Sequence, residues 1–261
     1  MKRGTSNVLK MPKPELLTKV STSKTSLEHI TDQITTTMQT HAALLQKYHE
    51  VWYNAVAHTW GFTNYLGVGI LKAPNDLWAY HDILLRHRTK TVLEMGTFAG
   101  GSALWFATLM DMMQIEGGRV FTVDIADDHL SPFVRKMVDE GLGAGARITI
   151  VKGSSIDPTL AARLNREAEG APRLVVLDSD HSEAHVRAEL ELYAPACRIG
   201  DRLVVEDTNV AWPHDRGARG ALDGYLAEHP GEWRHDIVSE RWLLTMHPGG
   251  WLERIAECDK V

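Results

Sequence analysis

Acidic side chains end two neighbouring apolar segments in the second half of the chain. The first segment closes with Leu177-Asp178-Ser179-Asp180-His181, and the next closes with Val205-Glu206-Asp207. If both segments are strands of one parallel sheet, their ends open into the same crevice. Oxygen ligands grouped in this way suit a hard cation such as Mg²⁺, and without a cation such close carboxylates would repel each other. The alternative is that these acids cap helices or pair with Arg187, Arg198 or Arg202.

A glycine-rich turn lies earlier in the chain, in Glu94-Met95-Gly96-Thr97-Phe98-Ala99-Gly100-Gly101-Ser102. Its first glycine lets the chain turn sharply, and the later two let the backbone approach a ligand and begin a helix. The spacing is not the Gly-x-Gly-x-x-Gly of dinucleotide sites. Asp124 ends the next apolar segment, where a carboxylate can accept both hydroxyls of a ribose. Together they predict a pocket for a nucleoside with a short charged tail, unless the turn is only structural.

The segments that must position these residues alternate between strand-like and helical patterns of apolar side chains. Short runs rich in Val, Ile and Leu predict buried strands at Thr91–Glu94, Val120–Asp124, Arg147–Lys152, Arg173–Asp178 and Leu203–Glu206. Helical patterns lie between them at Ala103–Met113, Leu130–Asp139, Pro158–Ala168 and Glu183–Tyr193. The pattern ends with a helix near Gly220–Glu228 and two antiparallel strands, Trp233–Val238 and Trp242–Met246. This alternation predicts an α/β fold with a mostly parallel sheet and helices on both faces.

The first 80 residues follow a different pattern. Residues 1–25 are rich in Ser, Thr and basic side chains, and we predict that they form a flexible tail. Apolar positions recur at helical spacing from Leu27 to Val56, and the Gly- and Pro-containing stretch Gly61–Asp76 predicts a loop. We therefore expect a helical or lid segment over residues 26–80, followed by the main domain over residues 81–261.

Composition narrows the class of protein. The 261 residues carry a formal charge of −6, which gives no reason to expect nucleic acid or an anionic membrane as a partner. The chain has no run of about 18 apolar residues that could span a bilayer. Cys197 and Cys258 form neither a metal-binding spacing nor a disulfide framework. We expect a cytoplasmic protein whose thiols are reduced.

The segment Glu94–Ser102 resembles the first motif of class I methyltransferases and is especially similar to that of catechol O-methyltransferases. The resemblance implies a Rossmann-like sheet of seven strands and S-adenosylmethionine as the cofactor. In that family the glycine turn holds the methionine part, the acid after the second strand holds the ribose, and the loop after the third strand contacts adenine. The residues expected at the cofactor are Glu94, Gly96, Thr97, Gly100, Gly101, Ser102, Asp124, Gly153, Ser154 and Asp178.

The same resemblance implies a metal site and a general base. Asp178, Glu206 and Asp207 match the family's ligands for Mg²⁺ or another divalent cation, although Asp207 replaces the usual amide and Asp180 could replace or supplement Asp178. His181 stands where the catechol family has a lysine base, and a histidine can remove a proton near neutral pH. With Asp178 it forms the expected catalytic pair. His181 could instead form a hydrogen bond with a neighbouring group, or bind zinc together with His185.

Two further stretches resemble the family of cephalosporin hydroxylases and rhamnosyl O-methyltransferases. They run from Asn64 to Trp78 and from Thr245 to Leu252, within a resemblance that covers about residues 65–255. Membership implies methylation of a hydroxyl on a small molecule, in bacterial secondary metabolism or glycan tailoring, by a homo-oligomer. An N-methyltransferase, or a tailoring enzyme of the same fold that transfers no methyl group, is the alternative.

Some residues within the region of resemblance have two possible interpretations. Lys72 and Trp78 could form a cofactor lid or only pack. The loop Thr208–Arg219 follows the fifth predicted strand and is expected to line the acceptor site through Trp212, His214 and Arg216. Trp212 could equally be a core or interface aromatic.

Overall fold

The computed structural model describes residues 24–55, 59–170, 172–210 and 215–257. Nearly all of the predicted tail, together with Trp212, His214 and Cys258, lies outside these ranges. The helices are α1 (Lys24–Thr40), α2 (Ala42–Glu50), α3 (Pro74–His87), α4 (Gly101–Met112), α5 (Pro132–Asp139), α6 (Pro158–Glu167), α7 (Glu183–Tyr193) and α8 (Gly217–Glu228). The strands are β1 (Asn64–Tyr65), β2 (Val68–Gly69), β3 (Thr91–Met95), β4 (Arg119–Asp124), β5 (Ile148–Lys152), β6 (Arg173–Leu177), β7 (Arg202–Val205), β8 (Trp233–His235) and β9 (Trp251–Arg254).

Seven of these strands form one sheet in the order β5-β4-β3-β6-β7-β9-β8. The strands from β3 to β7 are parallel, and β9 pairs antiparallel with both β7 and β8. Every residue of β3 and β6 is buried because helices cover both faces. Alternate residues enter two cores, with Leu93 in one and Val92 in the other. The predicted α/β class and the mostly parallel seven-stranded sheet are confirmed.

The position of the last strand differs from the prediction. Trp242–Met246 is a loop, and the strand that pairs with β7 and β8 is Trp251–Arg254. The loop is held by the start of α3, where Asp76 Oδ2 accepts the N–H of Met246 at 2.9 Å. Leu243 has a φ of +63°, which a strand cannot accommodate. An apolar run alone did not distinguish this bound loop from a strand.

The segment before β3 contains more structure than predicted. Residues 64–69 form the β1–β2 hairpin inside the expected loop, and α3 begins at Pro74, a residue favoured in the first turn of a helix. The expected boundary after residue 80 falls inside α3, whose buried face includes Tyr80 and Leu84. The predicted N-terminal helices are present as α1, α2 and a π-helical turn over Val51–Ala55. None of the helices described is long and apolar enough to cross a bilayer.

Candidate active site

The turn after β3 is tight because two of its glycines lie against other parts of the backbone. A Cβ at Gly96, whose φ is +103°, would lie 1.9 Å from the carbonyl oxygen of Asp178. A Cβ at Gly101 would lie 2.1 Å from the carbonyl oxygen of Gly69 in the β1–β2 hairpin. Gly100 immediately precedes α4, and Ser102 is buried in its first turn. The glycines therefore bring Asp178 and the hairpin close to the start of α4.

Asp124 ends β4 and ties that strand to the glycine turn. Its Oδ2 accepts the backbone N–H groups of Thr97 and Phe98, both at 3.0 Å, and its Oδ1 accepts the N–H of Ala126 at 3.3 Å. The carboxylate thus has a structural role, and the ribose contact stays a prediction. Thr97, Asp124 and Lys152 line a cavity of about 60 Å³ at the ends of β3, β4 and β5.

The loop after β5 lies against the end of β4. The N–H of Gly153 donates to the carbonyl oxygen of Asp124 at 2.8 Å, and both Gly153 and Ser154 are half-buried. This places the two residues expected near adenine beside the acid expected near the ribose. Their contact with a cofactor stays a prediction.

Glu94 is fully buried in β3. The hydroxyl of Thr122 donates to its Oε2 at 2.7 Å, whereas its Oε1 has no hydrogen-bond partner among the described residues. Burial raises the pKa of Glu94 to about 7, and the charge of Lys72 opposes this rise only in part. A buried, unpartnered carboxylate oxygen is a strong acceptor for a ligand.

Asp178, His181 and Asp207 come together at the carboxyl ends of β6 and β7. One ligand atom from each residue lies within 4.8 Å of those of the other two. Nε2 of His181 is 3.2 Å from Oδ2 of Asp207 and 3.8 Å from Oδ1 of Asp178. Burial raises the pKa of Asp207 to about 7, and burial together with the charge of Glu206 raises the pKa of Asp178. The group therefore offers oxygen and nitrogen ligands to a cation.

Glu206 lies beside this group and contacts two donors from the segment before β3. Its Oε1 accepts from Nζ of Lys72 and from the hydroxyl of Tyr80, both at 2.5 Å. Lys72 also donates to Oδ2 of Asp178 at 2.7 Å. Burial alone would lower the pKa of Lys72, but the charges of Asp178, Glu206 and Glu94 outweigh burial and raise it. Lys72 is therefore a charged side chain that bridges the ends of β6 and β7.

His247 supports Asp207 from inside the protein. Its Nδ1 accepts the backbone N–H of Asp207 at 3.0 Å, and its Nε2 lies 3.5 Å from Glu206 and 3.6 Å from Asp76. Burial lowers the pKa of His247 to about 4, so the imidazole is neutral with its proton on Nε2. Asp207 has a φ of +54°, a conformation uncommon outside glycine. The bond to His247 stabilises this conformation.

Two alternatives from the sequence concern Asp180 and His185. Asp180 is exposed, its Oδ1 accepts the N–H of Ser182 at 2.8 Å just before α7, and it is not part of the group formed by Asp178, His181 and Asp207. His185 contacts other residues than His181 does. Its Nε2 lies 3.0 Å from the hydroxyl of Ser155 and 3.1 Å from that of Ser179.

A cavity of about 780 Å³ lies between the loop that follows Asp207 and the N-terminal helices. The loop after β7 lines it through Thr208, Asn209 and Val210, whereas Arg216 pairs with Asp223 at 2.7 Å, and the role of this loop in acceptor binding stays a prediction. The N-terminal helices supply the facing wall through Met38, Leu45, His49 and Tyr53. Burial and the charge of Asp207 raise the pKa of Tyr53.

Sequence reasoning missed three residues around the acids, of which Tyr80 donates to Glu206 and His247 lies close to both Glu206 and Asp76. Tyr80, Asp76 and His247 lie 126, 130 and 41 residues from Glu206 in the sequence, so no local period connects them to it. The available signal was that all three stand in or next to the two stretches carrying the closer family resemblance. Lys72, kept open as lid or packing, contacts the acids directly.

A mostly parallel sheet of this order, with a glycine turn after β3 and acids after β4, β6 and β7, defines a class I methyltransferase fold and site. The family model Rhamnosyl O-methyltransferase/CmcI matches residues 57–255. The Rhamnosyl O-methyltransferase of Mycobacterium tuberculosis (strain ATCC 25618 / H37Rv) is 34% identical over 220 residues, covering 81% of this chain and 85% of the relative. That of Mycobacterium leprae (strain TN) is 33% identical over 221 residues, covering 81% and 91%. The chain belongs to the Rhamnosyl O-methyltransferase/CmcI family and is a methyltransferase.

Solved structures agree on the fold. An apo structure of CmcI superposes with a TM-score of 0.59 at 24% identity, over 75% of this chain and 77% of that one. A structure of CmcI with Mg and S-adenosylmethionine gives a TM-score of 0.57 at 21% identity, over 75% and 78%. The ligands in that second structure are the two cofactors expected from the sequence.

Proposed function

We propose that this protein transfers a methyl group from S-adenosylmethionine to a hydroxyl of a small-molecule acceptor, with a divalent cation such as Mg²⁺ at the acid cluster. The observation that carries the proposal is the meeting of Asp178, His181 and Asp207 at the carboxyl ends of β6 and β7, with the glycine turn packed against Asp178 and a cavity of about 780 Å³ lined by the loop after Asp207. Family membership supports the same reaction, because the curated relatives are Rhamnosyl O-methyltransferases.

The donor set fits a divalent cation. Asp178, Glu206 and Asp207 bring three carboxylates to one place, against the single ammonium of Lys72. Mg²⁺ is bound by few carboxylates and keeps several waters, so this set suffices. We assign the metal to Asp178 and Asp207, with Glu206 as the third ligand expected from the resemblance. When bound, the cation would supply charge that orients an acceptor hydroxyl and lowers its pKa.

The residues around the glycine turn fit S-adenosylmethionine. The unpartnered Oε1 of Glu94 is a buried acceptor, which suits the amino group of the methionine part. Phe98 and Ile125 are exposed apolar side chains beside the turn and Asp124, which suits contact with the adenosine part. We therefore keep the cofactor residues as expected from the sequence.

The chain's own residues have two tasks in the reaction. The first is alignment, because an in-line displacement at a sulfonium needs the acceptor oxygen held opposite the leaving sulfur. The second is proton removal, which we assign to the imidazole of His181. Asp207 lies 3.2 Å from its Nε2, and the Asp207 carboxylate would stabilise the imidazolium that forms. Asp178, at 3.8 Å, adds to this stabilisation.

The first test is calorimetric titration of the protein with S-adenosylmethionine, with Mg²⁺ and then with excess chelator. Micromolar binding is expected, and a labelled methyl group can then be followed into candidate acceptors. No binding under either condition would exclude the methyltransferase mechanism proposed here. Binding without transfer of label to any hydroxyl would favour the non-methylating alternative, and label on nitrogen would favour an N-methyltransferase.

A pair of variants tests the metal assignment. Asp178→Ala should lower chelator-sensitive activity by about 10³-fold, because it removes a ligand from the acid cluster. Asp180→Ala is the matched control, since Asp180 is an exposed acid two residues away. It should keep activity within a few fold, and circular dichroism should show both variants folded. Full activity in Asp178→Ala would contradict the assignment.

Three finer expectations stay predictions from the sequence. They are the homo-oligomeric state, the cytoplasmic location and a place in bacterial secondary metabolism. The acceptor is a small molecule with a free hydroxyl, and we propose that it binds in the cavity beside Asp207.

A further inference from the structure

Lys72 is a buried cation at the centre of the acid cluster. Its side chain is 1% exposed, and its Nζ lies 2.7 Å from Asp178 and 2.5 Å from Glu206. It comes from the short segment between β2 and α3, whereas the two acids end the neighbouring strands β6 and β7. A buried ammonium is stable only when carboxylates compensate it, and the two acids are in turn stable together only with a cation between them.

The other basic groups nearby do not perform this task. His247 is 3.5 Å from Glu206, but its Nδ1 accepts the N–H of Asp207 and so carries no proton. His181 faces Asp207 and lies 3.8 Å from the far oxygen of Asp178. Tyr80 donates a neutral hydroxyl to Glu206. Lys72 is therefore the group that holds Asp178 and Glu206 together among the residues described.

We propose that Lys72 is a built-in counter-ion of the metal centre, which stabilises Asp178 and Glu206 in the metal-free protein and competes with the divalent cation for them. The inference rests on the metal site proposed above and concerns how that site is loaded. One ammonium and one metal ion share the same carboxylates, so Lys72 weakens metal binding and makes the folded protein less dependent on metal. A permanently metal-bound centre would have no need of such a lysine.

Lys72→Met tests the proposal, because methionine keeps the length of the side chain without its charge. In chelator the variant should unfold about 10 °C below wild type, since one partner of a buried pair is lost. Mg²⁺ or Mn²⁺ should then raise its Tm at least twice as much as that of wild type. Calorimetry should show about tenfold tighter metal binding.

Lys90→Met is the matched control. Lys90 is exposed and directly precedes β3 at the opposite end of the sheet, so its variant should match wild type in Tm and in metal response. Wild-type or weaker metal affinity in Lys72→Met would overturn the proposal while leaving the metal site in place. If neither wild type nor Lys72→Met responds to Mg²⁺ or Mn²⁺, the metal site and this proposal both fail.

A second pair of variants covers the case in which Lys72→Met does not fold. The double variant Lys72→Met/Glu206→Gln removes one charge of each sign, so it should fold in chelator. It is compared with Glu206→Gln alone, in which Lys72 still contacts Asp178. Tighter metal binding by the double variant supports competition by Lys72, and equal binding overturns it.

Discussion

The two ends of the sheet both bury charged side chains, but they balance them differently. At the amino end, Arg173 pairs with Asp201 at 3.3 Å, Arg202 with Glu253 at 3.2 Å, and Arg254 with Glu232 at 2.6 Å. Each arginine begins or ends a strand and pairs with an acid. These three buried charges are thus matched, as structural ion pairs require.

At the carboxyl end the acids outnumber the bases. Asp178, Glu206 and Asp207 meet one lysine, and the buried Glu94 and Asp76 lie close behind them. His247, which could have added a positive charge, is neutral. The comparison shows that buried charge alone does not mark a site, whereas an uncompensated excess of one sign does.

Removing an arginine at the balanced end should have the largest effect on stability. Arg254 is fully buried, and Arg254→Met removes the arginine that pairs with Glu232, which should cost about 3–5 kcal/mol of unfolding free energy. Urea unfolding with and without Mg²⁺ measures this, and Mg²⁺ should recover none of the loss because the acid cluster is at the other end. The control is Arg234→Met, which breaks an exposed pair with Glu253 and should cost below about 1 kcal/mol. If Mg²⁺ restored the lost stability, the two ends of the sheet would not differ in this way.

Removing a base at the acid-rich end should instead affect the reaction. His181→Ala should lower turnover by about 10²-fold and change the pH–rate profile, because the proton acceptor is lost. Affinity for S-adenosylmethionine should change little. His229→Ala, on the C-terminal side of α8 and outside the site, serves as the control for loss of an imidazole. An unchanged pH–rate profile in His181→Ala would exclude this residue as the base.

The smallest expected effect is on the pH dependence of stability, and it comes from His87 at the amino end of the sheet. Burial and the nearby charge of Arg202 lower its pKa from 6.5 to about 4, and Arg202 donates to its ring at 2.7 Å. Between these pH values the unfolded chain protonates His87 and the folded protein does not. Lowering the pH therefore favours unfolding, by about 1–2 kcal/mol after allowance for partial exposure.

His87→Gln isolates this contribution, because an amide oxygen can still accept from Arg202 but does not titrate. The free energy of unfolding should decrease less between pH 7 and pH 4.5 in the variant than in wild type. Other titrating groups cancel in the difference between the two proteins. Parallel slopes would show that His87 has the same pKa in the folded and unfolded states.

Most of the sheet could be predicted because its strands are buried on both faces and its helices are amphipathic. Glu183–Tyr193 was predicted with the bounds found in α7, and β4, β5 and β6 with bounds within one residue. The exception, Trp242–Met246, has strand-like composition, but its conformation is set by Asp76, 170 residues away. A contact of that separation leaves no trace in local periodicity.

The site, like the sheet, contains residues that the sequence could place and residues that it could not. The residues that follow strands, such as Asp124 and Asp178, could be placed because parallel strands end at one edge. The contacts of Lys72, Tyr80 and His247 could not, because they come from outside the sheet's regular alternation. Their roles depend on distances between side chains, and a sequence does not contain those distances.

The wall of the large cavity has a consequence for how this protein could change over evolutionary time. Met38, Leu45 and Tyr53 belong to helices that precede residue 57, where the family match begins. Substitutions there would reshape the cavity without touching the strand ends that hold the acids. On the proposed function, one wall of the acceptor cavity is encoded in a length of chain separate from the strand ends that carry the transfer chemistry. Grafting residues 24–55 from a relative would then redirect the enzyme to a new acceptor while its catalytic apparatus is inherited intact.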